Sequence, residues 1–449
     1  MKKYIKREIE NKIWEAVASG FIVALLGARQ VGKTTLLNHL SFELQNKGVP
    51  KSNIFFFNLD DVILRGEIVS NFYFIRNFIE ERLGKNLKDL SSPIYLFIDE
   101  VQKAPSVFEL LKILYDNFSE KLKIIISGSS SLAIQKKSAE SLAGRIVNVY
   151  LYPLSIREIF SDYFNLSLGN GLFEVLIEGK CFDLDFLSFC QAKVLKQDYD
   201  QKRQFDLLLK QILLEGMLPA VFTKVKEKEY LFKSLLETYL EKDIRRLEEV
   251  GSLDDFSRLI YLLSFEIGST FNIASLTRDL GIAVNTVKKY LSVLQATFIL
   301  KKLSPFFIKM RKRLVKSPKI YFFDVGLANF LAKRYYWENI VEKKGVLFEN
   351  IFLNSFEAFN NNFLKPATFS FWRDYQGHEI DLVIENSKEI VPIEFTLESD
   401  FSSLKKQNFI HFLKNFKKVS FGIVVYTGKL EKVSLLGKEI FLIPWWLWW

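Results

Sequence analysis

The apolar run Phe21 to Leu26 opens directly onto Gly27-x4-Gly32-Lys33-Thr34, and this junction constrains the fold more than any other stretch of the chain. The spacing is G-x-x-x-x-G-K-[ST], the pattern of a phosphate-binding loop set between a buried parallel strand and a helix. The glycines let backbone N–H groups turn inward around an anion. The helix starting near Lys33 adds unsatisfied donors and the positive end of its dipole. Gly27, Ala28, Arg29, Gln30, Val31, Gly32, Lys33, Thr34 and Thr35 are therefore the expected nucleotide cradle. Lys33 supplies charge to the phosphates and Thr34 the hydroxyl that holds Mg²⁺, so ATP and Mg²⁺ are the cofactors this stretch calls for.

A second apolar strand, Ile94 to Ile98, ends in Asp99-Glu100. At this distance behind a phosphate loop, Asp99 is expected to hold Mg²⁺ and Glu100 to orient and deprotonate the attacking water. The strand Lys123 to Ser127 follows and ends in a serine cluster. Ser127 reads equally well as a contact to the γ-phosphate or lytic water and as a turn former. Arg145, behind Gly144, reads either as an arginine finger, in cis or in trans, or as an ordinary structural arginine. Ile54 to Asp61 reads as a strand ending in acids. Asp60 or Asp61 either faces the nucleotide or caps the next helix. Tyr152-Pro153-Leu154-Ser155 breaks a strand and starts a capped helix.

Composition adds broad limits. A chain of 449 residues, 49% apolar, has material for several cores. The net charge of +10 favours an anionic partner, nucleic acid first, although the heavy use of lysine also fits drift in the source genome. Cys181 and Cys190 are too far apart for a zinc knuckle, and His39, His378 and His411 show no ligand spacing. A cytoplasmic, reducing compartment and no structural metal are the reading. Acidic residues interrupt the N-terminal run, which argues against a signal peptide, and no apolar segment approaches about 18 residues, so no membrane span is expected. The terminal Trp445-Trp446-Leu447-Trp448-Trp449 reads as a tail packed on its own domain, with a partner or membrane contact as the alternative.

Phe256 to Phe307 has the spacing of three short helices, with Asn285, Lys288 and Lys289 outward on the third. The basic stretch 309–316 lies where a wing would reach a phosphate backbone, so DNA is one candidate partner and a docked protein the other.

Leu26-Gly-Ala-Arg-Gln-Val-Gly-Lys-Thr-Thr, Phe97-Ile-Asp-Glu-Val-Gln-Lys, Ser127-Gly-Ser-Ser, Leu142-Ala-Gly-Arg and Pro153-Leu-Ser-Ile-Arg-Glu together resemble prokaryotic AAA+-type ATPases that join a P-loop domain to a winged helix and a C-terminal nuclease-like domain. Tyr239-Leu-Glu-Lys-Asp243, Lys316-Ser-Pro-Lys-Ile-Tyr-Phe-Phe-Asp324-Val-Gly and Glu349-Asn350 extend the likeness over nearly the whole chain. The resemblance implies an α/β fold in four parts: a P-loop ATPase domain at 1–160, a helical lid or linker at 161–250, a winged helix at 251–325 and a restriction-endonuclease-like domain at 326–449. It implies ATP hydrolysis and leaves open a homo-oligomer, a nucleotide switch with little turnover that binds a protein, and an ATP-gated nuclease. Asp381, Glu394 and, as a further acid, Glu349 resemble the metal-binding acids of the PD-(D/E)XK pattern. Thr396 stands where that pattern has lysine, and threonine cannot supply positive charge to the transition state. Lys388 and Lys405 are the cations that could reach in. The expectation is a degenerate site without nuclease activity.

Overall fold

The computed structural model describes residues 4–128, 140–166, 172–178, 183–194, 199–223, 227–245, 250–307, 317–362, 366–386 and 388–448. The chain divides into two compact units, 1–152 with 296–298, and 153–295 with 299–449. This division is coarser than the four parts that the motifs suggest, and its first boundary falls at Tyr152.

The first unit is a five-stranded sheet in the order β2-β3-β4-β1-β5: β1 (Ile22–Leu26), β2 (Ile54–Asn58), β3 (Ile94–Asp99), β4 (Leu122–Gly128) and β5 (Ile146–Tyr150). Every pairing is parallel. A parallel strand is covered on both faces, which is why β1 is an unbroken apolar run with all five residues buried. Helices α1 (Glu10–Ala18), α2 (Lys33–Asn46), α3 (Val62–Ser70), α4 (Phe74–Leu83) and α5 (Val107–Phe118) belong to the same unit. The core runs from Ala24 and Leu26 of β1 through Leu96 and Ile98 of β3 to Leu110, Leu111 and Leu114 of α5. β2 stops at Asn58, earlier than its acidic end suggests. Asp61 accepts from the N–H groups of Ile63 and Leu64 and caps α3, so of its two readings the cap is the observed one.

In the second unit, α6 (Ile156–Phe164) begins with a full capping box between Ser155 and Glu158. The helices α7 (Leu172–Glu178), α8 (Leu184–Val194), α9 (Tyr199–Glu215) and α10 (Lys228–Thr238) follow. Next come α11 (Leu253–Phe265), α12 (Ile273–Leu280) and α13 (Val284–Ala296), then the antiparallel pair β6 (Leu300–Leu303) and β7 (Lys319–Phe322). Asn272 caps α12, and Gly281 ends it at φ 71°, a left-handed conformation that glycine adopts without strain. Asn285, Lys288 and Lys289 are exposed on α13 as expected. The basic stretch 309–316 lies outside the described residues.

Helices α14 (Val325–Leu331) and α15 (Lys344–Asn360) lead into a six-stranded mixed sheet in the order β12-β13-β11-β10-β9-β8. Its strands are β8 (Thr368–Arg373), β9 (Glu379–Glu385), β10 (Ile390–Phe395), β11 (Phe421–Tyr426), β12 (Glu431–Leu435) and β13 (Lys438–Pro444), with α16 (Ser403–Asn415) between β10 and β11. The aromatic tail is packed within its own unit. The Trp445 ring meets Phe160 edge-on at 5.3 Å and the Trp448 ring meets Phe356 at 5.1 Å, both indoles buried. Among the described residues no helix is long and apolar enough to cross a membrane.

Candidate nucleotide site and a second acidic cluster

The phosphate loop leaves β1 at the carboxyl edge of the sheet and re-enters helix at Lys33. Gly32 sits at φ 95° and Gln30 at φ 64°, the left-handed geometry that turns successive amides toward one concavity. Gly27 is required for a different reason: a Cβ there would lie 2.2 Å from the carbonyl oxygen of Leu151, whose N–H in turn donates to Leu26. The Lys33 ammonium donates to the carbonyls of Gly27 and Ala28 at 2.9 and 2.8 Å, across the mouth of its own loop.

Asp99, almost fully buried at the end of β3, is the hub beside the loop. The Thr34 hydroxyl donates to its Oδ2 at 2.6 Å, the Ser127 hydroxyl donates to Oδ1, and the Glu100 N–H donates to Oδ1 at 3.1 Å. The expected metal-holding pair, Thr34 and Asp99, is thus in direct contact, and Ser127 is a strand residue in the same network and not a turn former. Glu100 follows at φ 57°, half-buried, its carboxylate accepting from the Gln102 amide. The donor set is all oxygen, carboxylate plus hydroxyls, and suits a hard cation such as Mg²⁺.

Arg145 lies elsewhere. It immediately precedes β5, its carbonyl accepts from Ile22 at the amino end of β1, and its guanidinium holds Asp116 through two bonds of 2.6 and 3.1 Å. Five residues of strand, about 16 Å, separate that end of β1 from the phosphate loop. A finger acting on its own chain's nucleotide is therefore corrected to a structural pairing with Asp116, which holds the guanidinium charged and the Asp116 carboxyl below its usual range. Asp60 is likewise engaged, by Lys103.

Sequence reading missed Arg7. Buried, it donates to the carbonyls of Val31 and Tyr152 at 2.9 and 2.7 Å, bracing the phosphate loop from behind, while Glu10 accepts from its N–H at 2.7 Å. No motif marks it. Between Lys6 and Glu8, an arginine looks like one more solvated charge.

A second cluster forms in the C-terminal sheet. Asp381 on β9 and Glu394 on β10 are buried beside each other, and Lys405 on α16 bridges them, 3.1 Å from Asp381 and bonded to Glu394. Asn408 donates to the other Glu394 oxygen at 2.9 Å, and the Phe395 N–H donates to Asp381 at 2.9 Å. The positive charge that Thr396 cannot provide is therefore present, delivered by a helix from farther along the chain. Thr396 itself accepts from the Glu398 N–H, and Lys388 is exposed in a turn. Burial works to raise both carboxyls, but Lys405 and Lys319 hold Asp381 below its usual range, whereas burial and the Asp381 charge push Glu394 well up. Desolvation opposes the charge on Lys405, yet the same two acids raise its pKa. Glu349, the supposed further acid, faces different partners: Lys319 at 3.0 Å and the Tyr321 hydroxyl, with burial pushing its pKa up to about 7.

Comparison with known proteins agrees with the first site. Residues 19–160 match the family model described as "AAA domain", while 206–335 and 344–448 match two models described as domains of unknown function. An uncharacterized protein of Mycobacterium tuberculosis is 27% identical over 85% of this chain and 71% of its own length. One of Haemophilus influenzae is 22% identical over 95% and 94%. Among solved structures, AMPPCP-bound DnaA from Aquifex aeolicus is 17% identical over 65% of this chain and 89% of its own, with a TM-score of 0.26. The S. cerevisiae Hsp104-ADP complex is 17% identical over 81% and 45%, with a TM-score of 0.30. Likenesses of that extent say nothing about what this chain binds. Residues 19–160 are an AAA-type P-loop domain.

Proposed function

We propose that the chain is a Mg²⁺-dependent ATPase of AAA+ type that works on or near DNA. The observation that carries the ATPase reading is the Thr34–Asp99–Ser127 network, with Glu100 beside it, at the mouth of the phosphate loop. Loop amides and Lys33 bind and orient the β- and γ-phosphates. Thr34 and Asp99 hold Mg²⁺, which when bound neutralises charge that develops on the transferring phosphoryl group. Glu100 positions the attacking water and takes its proton. Arg145 enters this scheme only from a neighbouring subunit, which calls for a homo-oligomer. The test is phosphate release from ATP by the purified chain. Turnover is expected in Mg²⁺ and is expected to vanish in EDTA, and no release under either condition would favour a nucleotide switch that binds a protein partner.

The DNA part rests on α11 to α13 followed by the antiparallel pair β6 and β7, the order of elements in a winged helix, and on the exposed Asn285, Lys288 and Lys289. Neutralising Lys288 and Lys289 together is expected to weaken duplex DNA binding similarly for all sequences. It should also reduce the slope of log affinity against log salt by about 0.9 for each phosphate left without its lysine, so by about two. Fluorescence anisotropy across a salt series measures this, and an unchanged slope would move the DNA-binding surface off α13.

One observation favours a second activity. Lys405 completes a carboxylate–carboxylate–lysine set of the PD-(D/E)XK kind. Asp381 and Glu394 would hold a hard cation there, and Lys405 would stabilise charge at the phosphodiester. The reason for expecting no cleavage, the missing cation at Thr396, no longer holds.

A further inference from the structure

The turn between β8 and β9 and α16 bring together Asp374 and His378, four residues apart in that turn, with His411, which no spacing in the sequence connects to them. Asp374 is fixed by its own turn: one carboxylate oxygen accepts from the N–H groups of Gln376 and His378 at 2.8 and 2.9 Å. Its other oxygen, Oδ2, lies 2.9 Å from His378 Nδ1 and 3.4 Å from His411 Nδ1. The two imidazoles stack on each other, centroids 3.6 Å apart and planes 16° from parallel. Two rings thus present the same nitrogen to one carboxylate oxygen, and all three side chains keep some access to solvent.

A single divalent ion takes neutral imidazole nitrogen and ionised carboxylate together. Because an imidazole lone pair lies in its ring plane, the two rings swing out of their stack to turn both Nδ1 atoms onto one ion. Metal–ligand bonds of about 2.0–2.1 Å in a tetrahedral site put neighbouring ligand atoms roughly 3.3 Å apart. The observed 2.9 and 3.4 Å bracket that separation, and the three ligand atoms all lie within 4.8 Å of one another.

We propose that Asp374, His378 and His411 form a binding site for a divalent transition-metal ion of the Zn²⁺ type, with solvent in the fourth position. Nitrogen ligands select such an ion over Mg²⁺, which separates this site chemically from the all-oxygen acids at Asp381 and Glu394. The two sites share their supporting elements. His378 lies three residues before Asp381, and His411 lies six residues, about 9 Å of helix, beyond Lys405 on α16. A bound ion fastens α16 to the β8–β9 turn and so steadies the helix that holds Lys405 against its two carboxylates.

His39, Glu10 and Glu43 also gather in the first unit, yet there the Tyr4 ring covers His39 at 3.8 Å and the Tyr4 hydroxyl occupies Glu10. That cluster serves as the internal control. The full chain, freed of metal with EDTA and dialysed, is titrated with Zn²⁺ against a chromophoric chelator, and Co²⁺ binding is followed by visible absorption. One tight equivalent is expected in the wild type and in His39→Ala. His378→Ala and His411→Ala should each weaken it by more than the roughly 10–100-fold that loss of an outer-sphere partner costs. His411→Gln, which keeps a polar side chain of comparable reach, should lose the Co²⁺ spectrum while keeping a cooperative melt. Absence of a tight equivalent in the wild type, or affinity unchanged in both His378→Ala and His411→Ala, would overturn the proposal.

Discussion

Lys33→Ala is expected to abolish ATP binding, whereas Glu100→Gln should bind ATP with nearly wild-type affinity and hydrolyse it about 10²–10⁴-fold more slowly. The two residues stand on the same rim but act at different steps. The Lys33 ammonium already hangs over the mouth of the loop, bonded to the Gly27 and Ala28 carbonyls, and only has to exchange those acceptors for phosphate oxygens. Alanine leaves the loop amides without the charge that matches the β- and γ-phosphates. Glutamine at position 100 keeps the size of the side chain and its contact with Gln102 but cannot take a proton from water. A fluorescent ATP analogue measures the first effect and single-turnover hydrolysis the second. Turnover unchanged in Glu100→Gln would remove the base from this position, whatever Lys33→Ala did to binding.

Lys405→Ala is expected to cost about 3–5 kcal/mol of stability, because it leaves Asp381 and Glu394 buried against each other without their shared cation. The pH dependence follows from the two shifts. Asp381 is held below its ordinary value, so its contribution is present above the unfolded pKa and fades as pH falls through the lowered one. Glu394 is raised, so the native state holds its proton longer and the contribution of that group is lost as pH rises. Without Lys405 both acids disfavour ionisation, and the destabilisation should be larger at pH 8 than at pH 5 in urea melts. Combining Lys405→Met with Asp381→Asn and Glu394→Gln should recover much of the stability by removing the charges altogether. The same protein tests the second activity. Wild-type chain is expected to nick plasmid DNA in Mg²⁺ or Mn²⁺, and Asp381→Asn to abolish nicking. A wild type that never cuts would leave Lys405 as a structural cation.

What the sequence shows well is what a few adjacent residues can encode. The phosphate loop, the buried strand before it and the Asp99-Glu100 strand end are local signals, and all three stand where that pattern puts them. The helix cap at Ser155 is local in the same sense. Lys405 was legible only as one of two lysines able to reach the acids, because the pattern expects its cation two residues after Glu394 and the fold supplies it from a helix eleven residues on. The converging pair His378 and His411 was hidden for the same reason: metal-ligand spacing is a property of one helix or one turn, and these two come from different elements. Arg145 shows the opposite failure. A glycine before an arginine suggests mobility near the nucleotide, but the parallel order of β1 and β5 places every residue just before β5 at the far edge of the sheet.

That strand order also bears on the order of synthesis. β1 is complete by Leu26, yet its neighbours in the sheet are β4, beginning at Leu122, and β5, ending at Tyr150. Contacts of such long sequence separation close late, since the intervening chain must first be made and its loop entropy overcome. A chain growing from the ribosome therefore carries its phosphate loop on an unpaired strand for roughly a hundred residues, with unpaired backbone N–H and C=O groups at its edges and apolar side chains on its faces open to whatever they meet. The motif written first is among the last to acquire a binding shape.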